Sequence, residues 1–514
     1  MSVATRQPES LTRRAFWLML AKTLAFALAF ALPVLLTRTL DQSEYGLFKQ
    51  VFLVVSTATA ILPLGYGMSA YYFLAREHEA RRRGQVVLNI LLFGALVGGA
   101  ACLALVLRPA LLGSLFGEQA LASLAPLVGV VILLWIFSAF IETIAVANQE
   151  TRAATVFIVA AQLSKTALML GAALAFDTVE ALVYAGLLQG TLQTALLLWY
   201  LGSRFPGYWR SFDWGMMRRQ TAYALPFGLA GLLYTLQMDL HNYFVSHRFS
   251  AAAFAVYSVG VAQLPFVGIL RESVISVLIP RVSQLQKAGE TREIVELLAR
   301  SIRKLAAVFL PLYALLLVVG REFLTVMFTS AYADAWPVFV VNLTLLPLAL
   351  IEFDAVVRSY EEHRYFLLKL WAALFAPMLV ALWFGVKHFG PVGAIGVVVL
   401  FNLLGRLGGA IKFGRVLGVR ASDVLLLRDV GKLAIAASSA GLAAFAVRSL
   451  MLSGGAAPLL VLAACGAIFS LVYVASALLL GVLTGEEREA LRRRAGLFQR
   501  RMLWRDAGGP VSSG

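Results

Sequence analysis

TRTLDQSEYGLFKQVFLVVSTATAILPLGYGMSAYYFLAR, residues 37–76, reads as a short polar turn, DQSEYG, opening a long apolar helix that stops at Arg76 before a basic run. A helix that crosses a bilayer needs about 20 mostly apolar residues, and this one has them. Pro63, Gly65 and Gly67 interrupt its second half, where proline removes a backbone hydrogen bond and glycine permits a bend. These three are candidate hinge residues. The turn also has a counterpart: Leu40–Phe48 aligns with Phe249–Tyr257 at a constant offset of 209. Tyr45 falls on Phe254, Gly46 on Ala255 and Phe48 on Tyr257, so large residues match large and small match small.

The rest of the chain has the same character. Of its 514 residues 60% are hydrophobic and 14% charged, with a mean hydropathy of +0.81. That implies an all-α polytopic membrane protein. About fourteen spans can be marked, from 15–37 to 457–483, the short one at 304–320 and the one at 337–357 being the easiest to miscount. Repeated units of six helices keep one orientation because six is even. The expected organisation is two parallel six-helix lobes, 1–210 and 211–420, then two extra helices in 421–484 and a basic tail, 485–514. Paths for substrate in repeat-built transporters run between such halves.

A net charge of +16 would suggest nucleic acid in a soluble protein. Here the charge distribution argues against that partner. With the amino terminus inside, the inner loops hold 33 Lys and Arg and the outer loops 7, Lys49 being counted among the latter. This bias places both termini in the cytoplasm of a cell inner-membrane protein. The first span is expected to stay as an anchor rather than be cleaved. Segments 284–303 (Ile294, Leu298, Ile302 on one stripe) and 485–505 read as amphipathic surface helices resting on anionic lipid. Cys102 and Cys465 sit in apolar segments and form no disulfide framework. No metal-ligand cluster, cofactor motif or catalytic constellation is expected, so the chain reads as no enzyme.

The remaining four basic residues lie inside spans: Lys22, Lys165, Arg271 and Arg406. A charge at mid-bilayer costs several kcal/mol on insertion scales, so it needs a partner or a wet cavity. A cavity lined by these four would attract a diphosphate. Against this stand plain alternatives: ion pairs for the first three, snorkelling for Arg406. Tyr66 is a candidate for stacking on sugar, whereas Tyr71 and Tyr72 fit an interfacial belt. Asp239, with His241 nearby, and Glu352 are candidates for coupling to H+ or Na+; salt bridging is the bland account. Glu352 and Asp354 are two apart and cannot line one path together. Glu142 is expected to snorkel at the inner end of its helix. Pro63, Pro226, Pro265 and Pro347 mark possible bends.

At Leu40–Phe48 the pattern L-x-x-x-E-Y-G-x-(F/Y) resembles the polysaccharide-transporter (Wzx-type) branch of the multidrug/oligosaccharidyl-lipid/polysaccharide flippases. The stretch Gly320, Phe323, Met327, Phe328, Tyr332 and Ala335 is similar to a second pattern of that family. The resemblance covers about residues 1–420. It implies a V-shaped pair of six-helix bundles moving a polyprenyl-diphosphate-linked oligosaccharide, such as an O-antigen-type repeat unit, by alternating access. Polysaccharide polymerase or assembly proteins are then implied partners. Three other readings stay open: a peptidoglycan-precursor flippase, a drug or cation antiporter, and a membrane polymerase or ligase of lipid-linked sugars. The antiporter would want an acidic cavity, and the enzyme a sizeable outer domain.

Overall fold

The computed structural model describes residues 11–351, 353–363 and 365–482, and among them every regular element is a helix. In chain order these are α1 (Leu11–Thr39), α2 (Gln42–Ile61), α3 (Tyr66–Leu74), α4 (Ala80–Leu107), α5 (Ala110–Phe116), α6 (Ala120–Ala147), α7 (Thr151–Phe176), α8 (Val179–Arg204) and α9 (Trp214–Arg248). There follow α10 (Ala251–Gly260), α11 (Pro265–Ala288), α12 (Thr291–Phe328), α13 (Trp336–Leu343), α14 (Leu345–Leu348), α15 (Asp354–Ser359), α16 (Phe366–Val416), α17 (Arg428–Ser453) and α18 (Pro458–Leu479). Glu352, a candidate coupling residue, lies outside the described residues, as does the tail 485–505.

Among the described residues eleven helical stretches are long and apolar enough to cross a membrane. The polytopic all-α class is therefore as expected, and the difference from fourteen passes has a physical origin. At 51 residues α16 would span roughly 76 Å, more than twice the apolar slab of about 30 Å. It breaks at Gly390 (φ 59°), and Pro391 follows. Beyond the break Gly393 approaches the Gly385 carbonyl so closely that a methyl group would overlap it. Farther on, Gly405 abuts Trp371 and Gly408 abuts Leu370. So α16 is two antiparallel arms. Two further candidates carry more polar residues than the eleven: α9, 35 residues long, and α10 with α11, separated by a break at 261–264.

Three local expectations are corrected. The surface helix foreseen at 284–303 is split: α11 runs to Ala288, and the stretch from Thr291 continues into the next span as α12. Its stripe is the reason, because Ile294 is fully buried rather than laid on lipid. The span foreseen at 337–357 is interrupted after Leu348, just past Pro347. The connection left between the spans marked at 304–320 and 337–357 is mostly helical, ending in a short 3-10 helix, Ser330–Ala335.

The chain forms two compact units. The first draws on residues up to Ile279 with Leu324–Leu345 and Asp354–Ile411. Here α4 packs on α6, α1 on α7, α6 on α8, and α2 on α10. The second draws on Pro280–Phe323, Leu346–Phe353 and the chain from Lys412. Its core joins Val319 of α12 to Ala440 and Ala444 of α17 and to Val461, Cys465 and Phe469 of α18. A buried two-pronged ion pair fastens the same helices, Arg448 donating to both Glu322 oxygens at 3.0 and 2.7 Å. Elsewhere in that unit Arg292 pairs with the buried carboxylate of Asp423.

Candidate substrate path

The first unit has two distinct ends. One gathers the tight turns α1–α2, α7–α8 and α9–α10; the other gathers the basic connections around 75–85 and 204–213. At the turn end the repeat seen in sequence is matched in local structure. Asp41 caps α2 by accepting from the Glu44 amide at 2.8 Å, and Ser250, 209 positions later, caps α10 by accepting from the Ala253 amide. A capping side chain satisfies an amide that the helix leaves without a partner. The two capped helices press together at Gly46, where any Cβ would overlap the Ala251 carbonyl. That is why the small residue is needed there.

Reciprocal hydrogen bonds surround this contact. Arg38 donates to the Val326 carbonyl at 2.6 Å, and His247 contacts the Leu115 carbonyl at 3.0 Å. Arg38 and His247 are themselves 209 apart. Gln42 donates to the Ala331 carbonyl at 2.5 Å, and Glu44 accepts from the Val179 amide at 2.6 Å. Tyr45 and Tyr332 meet edge to face with centroids 5.9 Å apart. The aromatic residues of the two sequence patterns thus pack on each other.

The interruption expected at Pro63–Gly67 is present. The α2 helix ends at Ile61, Leu64 and Gly65 take left-handed backbone angles (φ 44° and 71°), and α3 starts at Tyr66. The loop backs onto α9, where a side chain at Gly228 would overlap the Leu64 carbonyl. Pro226 lies inside α9 two residues earlier. Pro265 opens α11 beyond a break rather than kinking a helix.

The basic residues fall into separate clusters. Lys22 on α1 pairs with Glu142 on α6 at 3.2 Å, with side chains 55% and 38% exposed. Glu142 therefore has a basic partner and does not simply reach for the membrane surface. Tyr71 lies beside the pair. Lys165 on α7 sits over the Trp135 ring, 4.3 Å from its centroid. Its electrostatic neighbour is Lys49, which the sequence reading assigned to an outer loop. That assignment is corrected: Lys49 lies inside α2, 5.4 Å above the Tyr45 ring. Only its position in an apolar helical run could have revealed it. Neither lysine has a carboxylate partner among the described residues. By helix rise, Lys49 and Lys165 lie roughly 10 and 16 Å from the turn end, and Lys22 roughly 25 Å. Arg271 lies on α11, half-buried, and Arg406 donates to Asn402 at 2.8 Å.

The other candidates are placed as follows. Tyr66 is 1% exposed, stacked on Phe93 at 3.9 Å and bonded to Thr221 at 2.8 Å. With its ring enclosed it offers no face to a sugar in this conformation, so its stacking role is corrected to an internal pin. Asp239 accepts from Thr57 at 3.1 Å, whereas His241 bonds Tyr257 at 2.7 Å. The structure sends these neighbours to different partners. A small apolar cavity between α9 and the arms of α16 is lined by Gln237, Met238, Trp371, Met378, Phe401 and Asn402, and by none of the four expected basic residues.

The fold and this arrangement define the class: a polytopic helical protein built like the transporters of the MOP superfamily. The likeness is to a lipid II flippase MurJ in an inward closed conformation (TM-score 0.69, 12% identity, 90% of this chain, 98% of that one). It extends to an inward-facing multidrug resistance MATE family transporter of the MOP superfamily (0.59, 15%, 79% and 96%). A Pyrococcus furiosus MOP transporter, described as having a binding pocket of reverse polarity, matches as well (0.53, 16%, 79% and 95%). A family model described as polysaccharide biosynthesis protein matches residues 35–337, and the chain belongs to that family. Among curated proteins no sequence matches it.

Proposed function

We propose that the protein is a flippase for a polyprenyl-diphosphate-linked oligosaccharide, a surface-polysaccharide repeat unit. The observation that carries this reading is the pair Lys49 and Lys165. Two ammonium groups within apolar spans, electrostatic neighbours and without a carboxylate partner among the described residues, are expensive unless an anion or water meets them. A diphosphate supplies such an anion. Lys22, Arg271 and Arg406 extend the basic set in the same unit. The turn end faces the outside, both termini are cytoplasmic, and the membrane is the inner one, in keeping with the positive-inside bias. The tight contact at Gly46 then closes the outer side, and the Pro63–Gly67 break is the hinge. Asp239 is the candidate for coupling H+ or Na+, being the carboxylate shared with α2 through Thr57. Assembly proteins that polymerise the repeat units are the natural downstream partners.

The test is a deletion strain complemented with wild type, Lys49→Gln or Lys165→Gln. Lipid-linked intermediates should accumulate on the inner leaflet with either variant at normal protein level, and surface glycan should fall. Accumulation of peptidoglycan precursors instead would favour the lipid II cargo. Normal glycan from both variants defeats the reading.

A further inference from the structure

We infer that Glu142 is an internal counter-ion that holds Lys22 until the anionic head group of the cargo displaces it. This rests on the flippase reading and adds to it the residue that sets how easily cargo enters and leaves. Lys22 and Glu142 stand on different helices, α1 and α6, and their 3.2 Å contact bridges them. Both side chains are substantially exposed even though each belongs to an apolar span, Met19–Thr39 and Ala120–Ala147. A pair open to acyl chains would be strongly disfavoured, so the exposed side is wet. By helix rise Glu142 lies roughly 8 Å from the basic end of α6, at the mouth where an inner-leaflet head group arrives.

An exposed ion pair is weak, and each partner can be exchanged. A diphosphate brings more negative charge than a carboxylate and competes for the same ammonium group. When it leaves, Glu142 returns and Lys22 is never left bare. Lys49 and Lys165 have no such stand-in among the described residues, so the three lysines are not equivalent. Only the one at the mouth carries its own competitor. Tyr71 is an electrostatic neighbour of both Glu142 and Lys22.

The experiment is a pyrophosphate titration by calorimetry on the full chain in detergent, with wild type, Glu142→Gln, Glu142→Asp, Lys22→Gln and the Lys22→Gln/Glu142→Gln double variant. Removing the competitor should tighten pyrophosphate binding about two- to fivefold, the range expected for an exposed pair. Glu142→Asp should stay near wild type. In the Lys22→Gln background the second substitution should change nothing. Simple charge repulsion from Glu142 would act in the Lys22→Gln background as well, so tighter binding there on adding Glu142→Gln overturns the inference. Unchanged or weaker binding in Glu142→Gln overturns the inference, and if Lys22→Gln still weakens binding the flippase reading stands without it. Wild type failing to bind pyrophosphate removes both.

Discussion

Gly46→Ala is the smallest change that should open the turn end. The added Cβ would overlap the carbonyl of Ala251, which is backbone and has no rotamer to yield. Helices α2 and α10 must then move apart. Inserting a methyl group into a packed contact of this kind costs about 1–3 kcal/mol. Because the penalty falls only on the conformation in which the helices touch, it shifts the closed-to-open ratio about 5- to 150-fold. Ser246 makes this measurable: it is fully buried near the turn end of α9, next to Gln50, whose amide donates to its carbonyl at 3.4 Å. In a chain with Cys102 and Cys465 replaced by Ala, Ser246→Cys should react slowly with a membrane-impermeant maleimide supplied at that side. Adding Gly46→Ala should accelerate labelling by a factor in the stated range. If the rate does not change, whether or not the melting temperature falls, the contact is only local packing and the closure argument fails.

Further expectations follow the same geometry. Arg448→Ala leaves Glu322 buried and unpaired, so thermal unfolding should show a loss of about 3–5 kcal/mol, whereas replacing both by apolar residues should recover most of it. Tyr66→Phe removes the hydroxyl's bonds to Thr221 and to the Met217 carbonyl and should cost about 1–2 kcal/mol in thermal stability while leaving pyrophosphate affinity unchanged; an unchanged melting temperature would refute its part as an internal pin. Lys165→Gln should weaken pyrophosphate binding, and Lys49→Gln should weaken it by a similar factor, since the two ammonium groups are neighbours; calorimetry on the purified chain decides it.

Much of the fold was legible because its signals are local. Apolar runs of bilayer length, the break at Pro63–Gly67 and the 209-residue echo each sit in contiguous sequence. The echo survived into matched caps because capping needs only a short polar side chain at one position. The site was less legible. Lys49 lies so near the α2 turn that a count of loop charges absorbed it, and only the helix register shows it inside a span. Tyr66 looked available because nothing in the sequence states that Phe93 lies flat on it. Glu142 looked solitary because its partner is 120 residues away, on a helix whose direction of approach is a tertiary fact.

The seam between α2–α3 and α9 bears most directly on movement. It runs antiparallel, with Gln50 on the Ser246 carbonyl, Tyr243 on the Leu53 carbonyl at 3.5 Å, Thr57 on Asp239 and Tyr66 on Thr221. Most of these contacts are single, uncharged hydrogen bonds, each worth about 0.5–1.5 kcal/mol net. They give the seam a register without making it permanent. At its middle both partners carry residues that bend helices, Pro63 and Gly65 facing Pro226 and Gly228, and the backbones touch directly. A seam meant only to hold would gain from an unbroken apolar interface. One held by a row of weak polar bonds and jointed on both sides at the same height is suited to part and reclose, and Lys49 lies on α2 itself, with Lys165 of α7 as its electrostatic neighbour.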